Sequence, residues 1–352
     1  MQTLEACYKE IASNTNRWSY YDEIYLSIDD AWNDNEKALR FIESYFGYGG
    51  KNEAFDDKFL QENRHHIRDR APHIISTFLL GIKIAECYEI DINTRDENYM
   101  NFQYCWFLSC LYHDIGYVFE KGYNNKKLKH ICEEGIEGFR HLFELRYIHD
   151  QIFQTYTKEV VDFYFKCRAN LCESKPVIDH GIAGGLLLYD KLRRQFEKAW
   201  KNRINSKDNR ESFFVRHNET VQLLHFSKNH YDTYAKAANA IIAHNIWLET
   251  LKKYIDKYGE KINISKINIT RKIHLEDKLC FILALADSIE PIKRNPKYLQ
   301  TVYIETIPGK QGFLLKMDNE AFSEIGEGIT SIDKWVDVSI CTPEKGTIQL
   351  LK

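Results

Sequence analysis

Apolar residues recur every third or fourth position through most of the chain up to about Pro291, the spacing of helices with one buried face. Ile74, Ile75, Phe78, Leu79 and Ile82 set a helix over about 71–88. The nearly unbroken apolar run YCWFLSCLY predicts the last turns of a buried helix ending at His113. Further helices are predicted near 130–147, 150–172, 177–200, 231–258 and 275–290. Residues 1–65 read as three or four amphipathic helices, broken at FGYGGKNE. The polar, turn-rich stretch NRINSKDNRESFFVRHNE interrupts the pattern, so about 203–230 is expected to be an insertion, a mobile loop or a lid. Beyond 295 the period changes. TVYIETI, GFLLKM, WVDVSIC and TIQLL are short β-like runs separated by the turn signals PGKQG and TPEKG, which predicts an antiparallel sheet of three or four strands. The expected protein is mainly α, with a helical segment at 1–65, a helical domain at 66–295 and a small β appendage at 296–352.

Composition narrows the function classes. The 352 residues are 44% hydrophobic, enough for a large core, and the formal net charge of -3 gives no basic field to attract a nucleic-acid polymer. Nine cysteines form no CxxC pair, which predicts reduced core thiols and a cytoplasmic location. The N-terminal residues MQTLEACYKEI carry no basic and apolar leader pattern, and no stretch reaches the length of a membrane span, so no membrane partner is expected.

Candidate chemistry begins at CLYHDIGY, where His113 and Asp114 stand side by side at the end of the apolar run. Buried charge is costly unless it is paired or bound to a metal. Four other helices each offer one comparable group. His73 lies near the start of RDRAPHIISTFLLG, one turn before Thr77. His180 in DHGIAGGLLLYD shares a face with Ala183, Gly184 and Leu187, and His244 in AANAIIAHNIW with Ile241, Ala240 and Ala237. Asp287 in LCFILALADSIEP sits near a helix C-terminus, the wrong end of the dipole for an anion, and so calls for a cation. A single histidine on an apolar face is more often a hydrogen-bonded core residue than a ligand. Five helices that each present such a group favour one shared metal site. Asp179 fits either a helix N-cap or an acceptor that orients an imidazole.

The ordered set His73, His113-Asp114, His180, His244 and Asp287 resembles the HD-domain superfamily of metal-dependent phosphohydrolases, over about residues 66–295. DKLCFILALADSIEPIKR is most similar to the bacterial symmetrical diadenosine tetraphosphate hydrolases, and HDIG also resembles the HD-GYP cyclic-di-GMP phosphodiesterases. Those groups usually carry lysine after HDIG or its equivalent. This chain has Tyr117 there, and no GYP motif follows.

The resemblance implies an HD-type helical bundle and two ions: one held by His73, His113, Asp114 and Asp287, the other by His180 and His244, with Asp114 as the bridge. Such a pair lowers the pKa of a shared water for attack at phosphorus. Four imidazoles favour Mn, Fe, Co, Ni or Zn over Mg alone. The implied substrate is a nucleotide or another small phosphate ester. Arg70, just before His73, Lys121 after the HD pair, and Arg294 after Asp287 are the cations expected to steady its phosphate. The pattern also resembles inositol oxygenase and its relatives, which use two irons, and a non-catalytic metal- or nucleotide-sensing module is a further alternative.

Overall fold

Helices take up the apolar periodicity almost wherever it occurs. The computed structural model describes residues 1–18, 27–47, 51–91, 102–121, 125–171, 176–205, 212–217, 220–225, 229–262 and 272–352. The protein is mainly helical, with a small antiparallel sheet built largely from its C-terminal residues. Among the described residues no helix is long and apolar enough to cross a membrane.

Five helices frame the centre of the molecule: Arg64–Cys87, Phe102–Tyr112, His180–Asn205, Asn229–Ala243 and Lys278–Ile289. Phe102–Tyr112 is buried from Gln103 to its end, as its nearly unbroken apolar run requires. His180–Asn205 crosses Asn229–Ala243 at short range. A Cβ added to Gly185 would lie 2.7 Å from the Ala238 carbonyl, so the small residues on this helix face make room for another backbone.

Several helix bounds differ from the periodicity, each for a local reason. The expected 130–147 helix is two, Asn125–Glu134 and Ile136–Leu142, because Gly135 adopts φ +61° between them. The expected 231–258 helix ends at Ala243 and resumes at Leu248. Between these, the His244 ring takes up the Ile241 carbonyl at 2.5 Å. The polar insertion, expected as a loop or lid, contains a hairpin: Ser212–His217 pairs antiparallel with Thr220–His225, so part of it is regular strand and not loop. SFFVRH and TVQLLH are rich in aromatic and β-branched residues, and this local preference outweighs the polar flanks. The rest of the insertion, 206–211, 218–219 and 226–228, lies outside the described residues, as do 48–50 of the FGYGGKNE break.

The sheet has five strands, in the order Gln2–Thr3, Val302–Thr306, Gly312–Met317, Thr347–Leu351, Ser339–Cys341. Its first strand comes from the opposite end of the chain, with Gln2 opposite Ile304 and Thr3 opposite Tyr303. Of the run WVDVSIC only the last three residues enter the sheet, while Val336 forms an isolated bridge with Ile273.

The 1–65 segment shares its core with everything else. One continuous set of buried residues runs from Leu4 to Leu350. Phe107 sits at the junction, its ring 4.7 Å from both Tyr45 and Phe78 and 6.4 Å from Phe41. Most cysteines are buried, Cys341 is exposed, and no disulfide forms among the described residues.

Replacing Phe107 by alanine should therefore cost about 3–5 kcal/mol, the usual range for emptying a buried aromatic site. Urea denaturation should show one lowered transition. Amides of the 35–47 helix should lose hydrogen-exchange protection together with those of the 64–87 helix. A first transition confined to the N-terminal helices would show that they fold separately.

Candidate metal centre

Each candidate ligand sits where its helix places it at the molecular centre. His73 lies along Arg64–Cys87, and His180 is the first residue of its helix. His113 and Asp114 follow the C-terminus of Phe102–Tyr112, His244 follows that of Asn229–Ala243, and Asp287 lies in the last turn of Lys278–Ile289. Three helix C-termini, with their partial negative charge, thus converge on one point that also holds two carboxylates. His73, His113, Asp114, His180 and His244 are all buried.

The six side chains meet. Ligand atoms of His73, His113 and Asp114 lie within 4.8 Å of one another, and so do those of Asp114, His180 and His244. Asp114 belongs to both groups, the position that a bridging carboxylate requires. His73 Nε2 is 3.0 Å from Asp287 Oδ1 and 3.4 Å from Asp114 Oδ2. His113 Nε2 is 3.5 Å from Asp287 Oδ1, and His180 Nε2 is 3.4 Å from Asp114 Oδ1. Donors spaced in this way can share an ion about 2.1 Å from each.

One rule orients all four imidazoles: Nδ1 is tied outward and Nε2 faces in. His113 Nδ1 meets the Cys110 carbonyl at 2.6 Å and His244 Nδ1 the Ile241 carbonyl at 2.5 Å. His73 Nδ1 lies 2.5 Å from Glu290 Oε2, and His180 Nδ1 lies 2.7 Å from Glu120 Oε1. A proton on Nδ1 satisfies each acceptor and leaves the Nε2 lone pair for a cation. The buried Nε2 atoms of His113 and His244 have no hydrogen-bond partner among the described residues. Buried polar atoms are seldom left so. Two orphaned lone pairs aimed at ionised carboxylates are what a metal cation would satisfy, so the donor set fits such ions.

The charge states divide: the two carboxylates stay ionised and His244 neutral, whereas His73 and His180 are biased toward the imidazolium form, whose Nε2 proton a cation would have to displace. Burial opposes ionisation of Asp287, yet Lys293, whose Nζ lies 2.8 Å from Oδ1, and the two nearest imidazoles hold its carboxyl well below the usual range. Asp114 is likewise held low against burial by His113, His73 and His180. Burial and the neighbouring His113 push His244 down to about 4, which keeps it neutral. Burial also opposes protonation of His73 and His180, but Glu290 and Asp287 push His73 up to about 9 and Glu120 raises His180.

Glu120 and Glu290 are the functional residues that sequence reasoning missed. Glu290 is buried, accepts the Ser76 hydroxyl at 2.5 Å, and takes the Ile292 backbone N–H at 2.7 Å. Its place at the helix end before Pro291 was the available signal. Glu120 carried none, because its distance from His180 in sequence hides their contact. Asp179 caps its helix, accepting the Ile182 N–H at 3.1 Å, and its other oxygen accepts from Asn245 at 2.7 Å. Glu120 therefore takes the place at His180 Nδ1 that Asp179 could have held.

Beside His73 opens a cavity of about 500 Å³, walled by Arg70, Tyr117, Lys293, Trp32 and Asn35 among others. Tyr117 stacks on His180 with ring centroids 4.1 Å apart, and the Arg70 guanidinium lies 3.7 Å above the Tyr117 ring. Of the expected cations Arg70 is thus at the cavity, whereas Arg294 is exposed and Lys293 beside it is the residue that lines the wall. The Lys121 side chain lies outside what the structure describes.

Gly116 keeps the HDIG turn against the start of the His180 helix. A Cβ there would fall 2.0 Å from the His180 carbonyl oxygen. Comparison of the chain with known protein families, with curated proteins and with solved structures finds no match.

Protein purified without chelator should retain close to two tightly held transition-metal ions per chain, counted by elemental analysis. Asp114→Ala should lose both, and His180→Ala mainly one, recoverable with excess metal. Gly116→Ala should lower occupancy by forcing Asp114 and His180 apart. A wild-type chain that takes up no transition metal, even on reconstitution, would overturn the dinuclear assignment.

Proposed function

We propose that this chain is a metal-dependent phosphohydrolase of the HD type, acting on a nucleotide or a similarly small phosphorylated compound. The observation that carries the reading is the pair of ligand triads joined through Asp114, set beside a cavity whose wall holds Arg70 and Lys293. When bound, a pair of divalent ions supplies Lewis acidity and a nucleophilic water at neutral pH. The chain's own residues account for the remaining requirements. Four inward Nε2 atoms and two carboxylates hold their positions through Glu120, Glu290 and two helix-end carbonyls, so the site is set before substrate arrives. Buried surroundings exclude bulk water and strengthen each charge interaction.

Arg70 and Lys293 present positive charge where the cavity opens, which favours an anionic ligand. Lys293 already meets Asp287, so Arg70, resting on an aromatic face, is the cation better placed to turn to a phosphoryl oxygen. Tyr117 stands where the related families have lysine. Burial keeps its phenol neutral, and its ring supports a guanidinium in place of supplying a charge itself. A cationic wall of this kind has no evident use in an oxygenase acting on an uncharged substrate.

The test is a hydrolysis screen of the metal-loaded protein over nucleotides, dinucleoside polyphosphates and cyclic dinucleotides, with oxygen uptake followed in parallel. Phosphate-ester cleavage without oxygen uptake is expected, falling by several orders of magnitude in Asp114→Ala. Oxygen consumption coupled to loss of a non-phosphorylated substrate would reverse the reading.

Arg70→Gln should lower kcat/KM by the value of a charge-assisted contact, about 1.5–3 kcal/mol. Tyr117→Phe, which keeps the ring under Arg70, should change it little, and Tyr117→Ala should resemble Arg70→Gln. If Tyr117→Phe is as damaging as Arg70→Gln, the hydroxyl and not the ring is the working part.

A further inference from the structure

A second group of metal-competent side chains lies on the surface, on two helices that contribute nothing to the buried centre. Glu134 ends the Asn125–Glu134 helix, His130 precedes it by one turn, and His141 comes from the following helix, Ile136–Leu142. Glu134 Oε2 lies 3.5 Å from His130 Nε2 and 3.5 Å from His141 Nδ1, and the three ligand atoms fall within 4.8 Å of one another. We propose that His130, Glu134 and His141 form an additional divalent-metal site for a borderline ion, Zn²⁺ first and Ni²⁺ or Cu²⁺ next.

The chemistry selects the ion. Two imidazoles and one carboxylate form a donor set that suits zinc and its neighbours and suits magnesium or calcium poorly. Donors 3.5 Å apart subtend about 113° at an ion about 2.1 Å from each, close to the tetrahedral angle. Side-chain exposures of 35%, 43% and 62% leave the remaining coordination positions open to water.

The backbone prepares this geometry. Gly135 separates the two helices at φ 61° and ψ -128°, a conformation closed to other residues. Asp162 locks the corner by accepting the Ile136 N–H at 2.8 Å, and a Cβ on Gly135 would stand 2.1 Å from that same carboxylate oxygen. The turn therefore returns His141 to Glu134. Neighbouring cations are engaged elsewhere: Lys129 with Glu133 at 3.7 Å, and Arg140 and Lys158 with Glu137 at 2.8 and 3.5 Å. Among the described ion pairs, Glu134 has only the two imidazoles as partners. A bound ion would pin the two helices at their shared corner, a clamp independent of the hydrolytic reading.

The experiment titrates Zn²⁺ into the full chain carrying its interior ions, by calorimetry. One further equivalent with micromolar affinity is expected in the wild type. That equivalent should be lost in His141→Ala and in Glu134→Gln, with the interior metal content and any hydrolysis unchanged. Cu²⁺ added in place of Zn²⁺ should give an electron paramagnetic resonance spectrum with two coupled imidazole nitrogens, reduced to one in His130→Ala. No saturable uptake in the micromolar range, or an extra equivalent that survives His141→Ala, would overturn the site. If the interior centre held no metal at all, the baseline would fall but the His141-dependent equivalent would remain, so the two assignments fail separately.

Discussion

Two carboxylates at the junction of three helix C-termini, Asp114 buried and Asp287 half-buried, are the electrostatic problem around which this protein is built. Asp114 and Asp287 lie where the helix carbonyls already concentrate negative charge. Burial alone would drive such acids to neutrality. Lys293 and the surrounding imidazoles hold them ionised instead, while the inward Nε2 atoms of His113 and His244 meet no hydrogen-bond partner among the described residues. Cations at the centre would resolve the imbalance. The same demand explains why each imidazole is anchored through Nδ1, since a free ring would rotate to satisfy itself and lose the inward lone pair.

The anchors show how the wider fold serves the centre. Glu290 reaches His73 from the end of the last core helix, and Ser76, which donates to Glu290, lies 2.9 Å from the Tyr8 hydroxyl on the first helix of the chain. Tyr8 in turn packs edge-on against Trp32, which lines the cavity. His73, its outer carboxylate, the N-terminal helix and the cavity wall are therefore one connected unit. The strand Gln2–Thr3 fastens that helix to the C-terminal sheet, which pairs residues near the start of the chain with residues near its end.

On the open side, Arg70, Tyr117 and His180 form a stack of guanidinium, phenol and imidazole. A lysine in place of Tyr117 would put a mobile charge beside the centre. The aromatic ring moves that charge one layer outward to Arg70 and holds its planar fork over a rigid support. The stacking makes Arg70 depend on Tyr117 for its position.

Helical periodicity, the switch to short β runs after Pro291 and the six ligand candidates were all legible in the sequence, because each depends on neighbours one turn away or on the type of a single residue. His113-Asp114 stood out because charge at the end of an apolar helix is costly wherever it occurs. The sequence could not show which carboxylates orient the rings. Glu120 and His180 meet across 60 positions and His73 and Glu290 across 217, so their pairing is a property of packing. For the same reason Lys293, and not Arg294, faces the cavity: one step along the turn after Pro291 separates an inward cation from a solvated one. The pairing of residues 2–3 with the C-terminal strands was equally hidden, since two residues carry no period. What the chain determined by itself was local: the helices and the residue types that chemistry needs. The tertiary structure decided which lone pairs face one another, because only packing brings groups distant in sequence within bonding range.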